Sequence, residues 1–225
     1  MSMTRHPAIR KSYASNRMAR REEDILATAR ELLVDGDGSI PMRVLAERSG
    51  VALSTLYARF GSQDAIASAA IAEVFRERLV SWEDTEGPSL IERLDQRLAS
   101  SIAEVLARPP FARKMARLFF TANRDESDAA QTLYRIPHAQ YCLALGAFRD
   151  AGALNPGTAI AALAEDLVVA QYATIGHWAN GMIVDTALLA RCRTAVFARL
   201  AASLLPSMQA EALGMVAGCR HGSLD

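Results

Sequence analysis

Apolar residues recur at the spacing of an α-helix along most of this 225-residue chain. In the first such segment, residues 20–34, they follow the pattern i, i+1, i+4, i+7 and i+8, at Ile25, Leu26, Ala29, Leu32 and Leu33. This spacing places one apolar stripe on a helix of about 3.6 residues per turn. Long β-branched runs are scarce, and unbranched side chains lose little rotamer freedom in a helix. We therefore expect an all-α protein.

Breaks between these patterns predict about nine helices. The first spans residues 20–34 and ends at the glycines that follow. Pro41 opens a short second helix, residues 52–60 form a third, and Ser62 caps a fourth that reaches about Trp82. The later helices are predicted at residues 89–107, 110–122, 127–151, 156–180 (started by Asn155 and Pro156) and 186–205 (capped by Asp185 and ended by Pro206), with a last turn or two within residues 208–218.

Basic residues are concentrated at the N-terminus. Residues 1–21 carry six cations and no acid, namely Arg5, Arg10, Lys11, Arg17, Arg20 and Arg21. The whole chain has 25 basic and 25 acidic residues, so 19 bases face 25 acids in the remainder, a net charge of −6. A basic end on an acidic body suits a protein that meets phosphate with one end only. We expect residues 1–18 to form a flexible basic arm; a solvated start without a partner is the alternative.

Several classes of protein find no support in the sequence. Cys142, Cys192 and Cys219 are widely spaced, which argues against a disulfide framework and favours buried small hydrophobes over a redox sensor. His138 and His177 lack a third metal-binding partner at a telling spacing, so we expect no metal. No Gly-rich phosphate loop, Gly-x-Ser-x-Gly motif or paired carboxylates indicate an enzyme or a cofactor. There is no secretory signal and no run of 18 apolar residues, so the expected location is cytoplasmic.

A glycine joins the second and third predicted helices. Gly50 supplies the small residue that lets two short helices cross closely, which is the helix-turn-helix pattern. In the third helix, Val51, Leu56 and Phe60 can face the core. The opposite face can meet base edges and phosphates, and it carries Ser54, Thr55, Tyr57, Ala58 and Arg59.

Residues 43–66, RVLAERSGVALSTLYARFGSQDAI, resemble the signature of the TetR family of transcriptional regulators. Leu45 and Ala46 stand at the usual Ile-Ala, and the further matches are Gly50, Val51, Thr55, Leu56, Tyr57, Phe60 and Ser62. The resemblance implies a DNA-binding head of three helices at residues 19–66, with the fourth helix leading out of it. It also implies that residues 67–225 form a larger helical domain for effector binding and dimerisation.

Two positions depart from the family signature. Ala52 stands where serine is usual, so the third helix loses a side-chain cap worth about 1 kcal/mol. Gln63 stands where a lysine usually touches a phosphate, and it can donate a hydrogen bond but brings no charge. Backbone amides at the start of the fourth helix can bind phosphate instead, and Arg59 or the N-terminal arm can offset the missing charge.

Roles in DNA binding follow from side-chain chemistry and from the resemblance. Arg43 resembles a family position that reaches bases or backbone, and arginine can bind a guanine edge with two hydrogen bonds. Thr55 and Tyr57 resemble phosphate contacts that fix the register, whereas Ser54, Ala58 and Arg59 are the expected specificity positions. A core role for Tyr57, a solvated charge at Arg59 and a surface hydroxyl at Thr55 are the structural alternatives.

The resemblance further implies an effector pocket and a dimer. Aromatic bodies with polar tips suit a mid-sized apolar ligand, and the candidate residues are Phe111, Met115, Phe119, Tyr134, His138, Tyr141, Tyr172, His177 and Trp178. A homodimer is expected through the last two long helices, whose small residues allow close approach, at Ala162, Ala173, Gly176, Ala195 and Ala202. Ordinary core packing is the alternative for both sets.

The predicted function is a repressor that a small, mostly apolar effector releases from a palindromic operator. Few charges in the ligand domain favour an apolar or amphipathic effector. A helical ligand-binding module that has lost DNA recognition is the main alternative, because of Ala52, Gln63 and the zero net charge. An activator would carry the same signals as a repressor.

Overall fold

A computed structural model describes residues 7–36, 39–78, 81–121 and 127–220. These residues form ten α-helices, where about nine were predicted: α1 (Pro7–Asp35), α2 (Met42–Arg48), α3 (Leu53–Phe60), α4 (Gln63–Arg78), α5 (Leu90–Ala107), α6 (Pro109–Thr121), α7 (Asp128–Asp150), α8 (Ile160–Ala179), α9 (Asp185–Ala201) and α10 (Pro206–Arg220). The only β pairing among them is an isolated antiparallel bridge between Leu154 and Leu204. The all-α prediction is confirmed.

Helices α1, α2 and α3 and the start of α4 form the head of the molecule, and the rest of α4 leads out of it and packs against α7. The apolar stripe predicted on the first helix is largely buried, and α2 to α4 add fully buried side chains that include Leu45, Leu56 and Ile66. Ser62 caps α4 as predicted, because its hydroxyl accepts a hydrogen bond of 3.0 Å from the amide of Ala65. Burial of these apolar faces holds three short helices together that would be unstable alone.

Two boundaries in the first half differ from the prediction. Helix α1 begins at Pro7 and not near residue 20, so residues 7–18 of the expected flexible arm are helical. No glycine or proline interrupts the chain between Pro7 and Asp35, and proline itself fits a first helical position. The side chains of Arg5, Arg10, Lys11 and Arg17 lie outside the described residues.

Helix α4 ends at Arg78, short of the predicted end at Trp82. Trp82 lies in a single 3₁₀ turn, where its backbone amide donates to the side-chain oxygen of Gln140 at 2.7 Å. The guanidinium of Arg93 covers its ring at 4.4 Å from the centroid. These contacts bury the Trp82 side chain without a continuing helix.

Helices α5 to α10 form the larger part of the molecule. Ser89 and Ser127 cap α5 and α7 through hydrogen bonds from Glu92 and Ala130, each 3.1 Å. The largest fully buried side chains of this part of the molecule are Tyr141, Phe148, Trp178 and Phe197. No described helix is both long and apolar enough to cross a membrane.

The last three helices begin and end differently from the prediction. Asn155 and Pro156 lie in a turn and α8 starts at Ile160, because the amide of Asn155 donates to the carbonyl of Ser203 at 2.9 Å in the loop after α9. Val184, not Asp185, is the capping residue of α9. Pro206 opens α10 and does not end the preceding helix, and α10 runs 15 residues because Ala212 and Val216 are buried.

Candidate nucleic-acid interface and ligand pocket

Gly50 shapes the turn between α2 and α3. Its φ of 66° lies in the left-handed region, which glycine adopts without a steric penalty. Two backbone hydrogen bonds close the turn, from Gly50 to the carbonyl of Glu47 at 3.2 Å and from Val51 to that of Ala46 at 3.0 Å. Helices α2 and α3 are thereby held in a helix-turn-helix.

Helix α3 has one buried and one exposed face. Leu56 is fully buried, and Val51 and Phe60 pack partly buried against the core. All five residues proposed for the outer face are exposed: Ser54, Thr55, Tyr57, Ala58 and Arg59. Tyr57 is 44% exposed, so its ring is not part of the buried core. Arg43 on α2 and Gln63 at the start of α4 are exposed as well, so the set of residues predicted to bind DNA lies outside the hydrophobic core.

Two members of that set have partners within the protein. The Nε of Arg59 donates to Oε2 of Glu22 on α1 at 3.0 Å. The side-chain amide of Gln63 donates to the carbonyl of Ile40 at 3.2 Å, in the segment before α2. Sequence reasoning missed Glu22, because 37 residues separate it from Arg59 and only the packing of α1 brings them together. Ala52 caps α3 without any side-chain hydrogen bond, as its identity predicts.

A pocket opens between α4, α5, α6 and α8. Its volume is about 600 Å³ when the open mouth is included, and its wall is mostly apolar. The lining residues are Val74, Phe75, Ser101, Glu104, Val105, Arg108, Phe111, Ala112, Met115, Ala116, Tyr172 and Ile175. Glu104 and Arg108 form an ion pair within it. The closed cavity holds only about 60 Å³, so it must widen to take a mid-sized ligand, but its lining suits an apolar molecule with one polar end.

Three of the nine predicted pocket residues, Phe111, Met115 and Tyr172, line this pocket. Phe119 lies behind it, buried, and stacks on Tyr172 with ring centroids 4.3 Å apart. The sequence pattern did not single out Ser101, Glu104 and Val105 of α5, or Arg108 directly after that helix. Polar residues at helical spacing on an amphipathic helix look like a solvated face until the opposing helices are placed.

The other five candidates lie elsewhere. Tyr134 and His138 stack on each other along α7 with centroids 5.3 Å apart. The hydroxyl of Tyr141 donates to Oε1 of Gln171 at 2.8 Å, and Nε1 of Trp178 donates to Oδ1 of Asp185 at 2.7 Å. Both rings are buried and serve the core. His177 is exposed on α8.

Burial alters the titration of several groups near the pocket. It raises the pKa of Tyr141 to about 12, although the nearby Arg97 opposes this increase. It also raises the pKa of Tyr172. Cys192 is fully buried and burial raises the pKa of its thiol to about 12, which agrees with the prediction of an inert core cysteine. The side chain of Cys219 lies outside the described residues.

A cleft separates the head from α6 and α7. Met115 lines this cleft as well as the pocket, and it faces Leu33, Ile40 and Gln63 there. On the far side, Oδ1 of Asp64 accepts a hydrogen bond of 3.0 Å from Ser127, the capping residue of α7. The start of α4 is therefore tied to the start of α7, and one side chain connects pocket and head.

The outer faces of α8 and α9 combine small, apolar and charged residues. On α8, Ala162, Glu165, Asp166 and Val169 are exposed, and on α9, Arg191 and Arg199 are exposed and Ala195 half-buried. Gly176 does not belong to this face, because it packs against Phe120 of α6: an added Cβ would lie 2.9 Å from Cε2 of that ring. Gly176 thus follows the core-packing alternative.

Solved structures of the same fold are transcriptional regulators. A TetR transcriptional regulator from Rhodococcus sp. RHA1 is 23% identical, with a TM-score of 0.62 over 82% of this chain and 97% of that one. TylP, a TetR regulator from Streptomyces fradiae, is 18% identical, with a TM-score of 0.61 over 93% and 100%. This chain has the TetR fold. FadR from Bacillus subtilis, solved in complex with stearoyl-CoA, shares the fold at 15% identity, with a TM-score of 0.59 over 79% and 96%.

The TetR fold carries its helix-turn-helix in an N-terminal head, which is where α2 and α3 lie in this chain. The fold expected from residues 43–66 is therefore confirmed. No protein-family model matches the sequence, and the comparison with curated proteins found no match. No group of three or more potential metal ligands occurs among the described residues.

Proposed function

We propose that this protein is a DNA-binding transcriptional regulator of the TetR type, and that it acts as a repressor released by a small, mostly apolar effector. The observation that carries the proposal is the helix-turn-helix whose third helix buries Leu56 and exposes a polar outer face. Residues 19–66 would form the DNA-binding head and residues 67–225 the effector-binding and dimerisation part. The regulators that share the fold, which are not enzymes, support this assignment.

In DNA recognition, α3 would enter the major groove and α2 would cross the backbone. Arg43 would contact a guanine edge or a phosphate, and Thr55 and Tyr57 would fix the register on phosphates. Ser54, Ala58 and Arg59 would read bases. To contact DNA, Arg59 must first break its ion pair with Glu22. Gln63 must likewise break its hydrogen bond to the carbonyl of Ile40 before it can donate to a phosphate.

The effector would occupy the pocket beside Tyr172. Met115 would then couple the two sites, because it lines both the pocket and the cleft under the head. A ligand that moves Met115 would change the shape of the cleft that this side chain lines together with Leu33 and Ile40. Ligand binding would thereby favour a head orientation that no longer matches the operator.

A homodimer would form through α8 and α9. Their outer face holds exposed Val169 and small residues at the centre. It also carries acids on α8, Glu165 and Asp166, and bases on α9, Arg191 and Arg199. In a two-fold interface the same patch meets itself, so the acids of one subunit can pair with the bases of the other.

The test is a gel-shift and fluorescence-anisotropy measurement on DNA next to the protein's own coding sequence and on duplexes selected from a random pool. The wild type should select a palindrome and bind it more weakly as salt increases. Arg43→Ala and Tyr57→Ala should each weaken binding by about 10-fold or more. Their thermal unfolding should match the wild type.

Two control variants separate recognition from general effects. Arg149→Ala removes a charge that is 66% exposed at the end of α7 and should leave the affinity unchanged. Tyr57→Phe keeps the ring and removes only the hydroxyl, so its affinity for DNA should lie between those of the wild type and Tyr57→Ala. Unchanged affinity in both alanine variants, or no selected sequence at all, would refute the DNA-binding assignment.

A further inference from the structure

Arg97 is a buried charge in the interior of the larger domain. It lies on α5, one helical turn before the pocket residue Ser101, and it is only 4% exposed. Its guanidinium lies 4.9 Å from the centroid of the Tyr141 ring and also interacts electrostatically with the hydroxyl of Tyr172. The side chain therefore lies directly behind the part of the pocket formed by Ser101 and Tyr172.

The guanidinium of Arg97 lacks the partners that a buried charge requires. Its Nε and Nη1 atoms are buried and have no hydrogen-bond acceptor. Among the described residues no carboxylate forms an ion pair with it. Of the three acids on α5, Asp95 binds Arg193 at 2.6 Å, Glu104 binds Arg108, and Glu92 is exposed at the start of the helix.

Within the part of the chain that the structure describes, Tyr141 is the one polar partner of Arg97, because its hydroxyl accepts a side-chain hydrogen bond from the guanidinium. Tyr141 donates to Oε1 of Gln171, whose amide nitrogen in turn donates to the hydroxyl of Ser101 at 3.0 Å. Burial lowers the pKa of Arg97, and interactions with Tyr141 and Tyr172 only partly oppose this decrease. Since a guanidinium stays protonated in proteins, an uncompensated positive charge remains in a closed, mostly apolar environment.

The pocket next to this charge is suited to a molecule with two unlike ends. Its wall includes the apolar residues Phe75, Val105 and Phe111 and the Glu104–Arg108 ion pair. Ser101 and Tyr172 separate the pocket from Arg97. An anion placed next to Arg97 would supply the missing acceptor. Carboxylates match a guanidinium especially well, because both groups are planar and can form two parallel hydrogen bonds.

We propose that Arg97 binds the carboxylate of an amphipathic effector whose hydrocarbon chain fills the pocket. The proposal rests on the effector-site assignment made above and specifies its ligand class. Ser101 and Tyr172 line the pocket in front of Arg97, so both side chains must rotate for the headgroup to reach the guanidinium, and Ser101 must then give up its hydrogen bond from Gln171. Charge neutralisation on binding then provides a favourable free energy that a neutral ligand of the same length cannot obtain.

Decanoate and its neutral analogue decanamide are the probes, compared by isothermal titration calorimetry on the full-length protein. The wild type should bind decanoate about 10- to 100-fold more tightly than decanamide, as expected for hydrogen bonds to a charged group. Arg97→Met should abolish this preference while the affinity for decanamide stays within about 3-fold. Arg97→Lys keeps the charge without the planar fork, so it should retain a reduced preference for decanoate.

Thermal unfolding of the ligand-free variants distinguishes a binding role from a structural one. Replacing an uncompensated buried ion by an apolar side chain of similar size is often stabilising, so Arg97→Met should raise Tm by about 3 °C. The matched control is Arg93→Met, one turn earlier on α5. Arg93 covers Trp82 and donates to the carbonyl of Thr85 at 3.0 Å, so its loss should lower Tm and leave the preference for decanoate intact.

Several results would overturn the proposal. A preference for decanoate that survives in Arg97→Met, or equal binding of the two probes by the wild type, excludes Arg97 as the anchor. If decanamide releases DNA as well as decanoate does, the pocket is still the effector site and only the anionic headgroup is wrong. Failure of both probes to bind also rejects this ligand class, whereas the DNA-binding assignment depends on the separate gel-shift result.

Discussion

Arg59 illustrates how a residue suited to DNA can be engaged elsewhere in the free protein. It is exposed on the outer face of α3, but its guanidinium contacts Glu22 of α1, with Nε at 3.0 Å from Oε2. An exposed ion pair of this kind contributes about 0.2–1 kcal/mol. DNA binding by Arg59 must break this pair, so the carboxylate competes with phosphate for the same donor.

Replacing Glu22 by glutamine should therefore strengthen DNA binding. The variant Glu22→Gln removes the competing charge and frees the Arg59 guanidinium, and the affinity should rise about 2- to 5-fold. Fluorescence anisotropy with the selected palindrome measures this change at several salt concentrations. The gain should vanish in the double variant Glu22→Gln, Arg59→Ala, because it operates through Arg59.

Glu31→Gln is the matched control on the same helix. Its carboxylate binds Arg48 at 2.6 Å, and Arg48 is not on the outer face of α3. A gain equal to that of Glu22→Gln would mean that any lost acid increases the affinity by general electrostatics. In that case the hypothesis that Glu22 competes with DNA for Arg59 is wrong.

At the scale of the helix, α3 lacks the cap that its position calls for. Ala52 has φ −69° and ψ 146°, the extended conformation of a capping residue, but its methyl group accepts no hydrogen bond. Ala52→Ser should add the missing acceptor for an amide in the first turn and stabilise the protein by about 1 kcal/mol, or about 3 °C in Tm.

Ala58→Ser serves as the control for this prediction. It introduces the same hydroxyl within α3 at an exposed position, where serine has a lower helix propensity than alanine and offers no cap. Its Tm should fall slightly. If both serine variants change Tm in the same direction, the missing cap does not limit the stability of α3.

The helices were largely predictable from the sequence, whereas their ends and the pocket were less so. Local periodicity located at least part of every helix, since burial of one face needs only the residues of that helix, but it missed the first half of α1 and gave α10 only a turn or two. The helix ends predicted at Pro206 and Asn155 were wrong for two reasons. A proline fits the start of a helix as well as a break, and the Asn155 backbone forms a hydrogen bond to a loop that is distant in sequence. Arg97 lay beyond prediction for a similar reason: its burial depends on other helices that pack against α5.

At the scale of the molecule, one DNA-reading head is not sufficient for a palindromic site. Two recognition helices must lie about 34 Å apart or a multiple of that, which a two-fold dimer provides. Helices α8 and α9 belong to the domain that holds the pocket, and Met115 connects that pocket to the head. A change in the pocket would therefore act on both the orientation of each head and the spacing between the two.

The dimer can be tested with a single charge at its proposed centre. Val169 is 39% exposed on α8 beside Glu165 and Asp166. Val169→Glu would bury an unpaired carboxylate in the interface and raise the dimer Kd by about 100-fold or more. Sedimentation equilibrium should then show monomers at micromolar concentration, and palindrome binding should weaken because the two heads no longer bind as one unit.

The control variant Leu143→Glu places the same charge at a side chain that is 44% exposed on α7, and this variant should stay dimeric. A dimeric Val169→Glu variant would exclude the α8–α9 face as the interface.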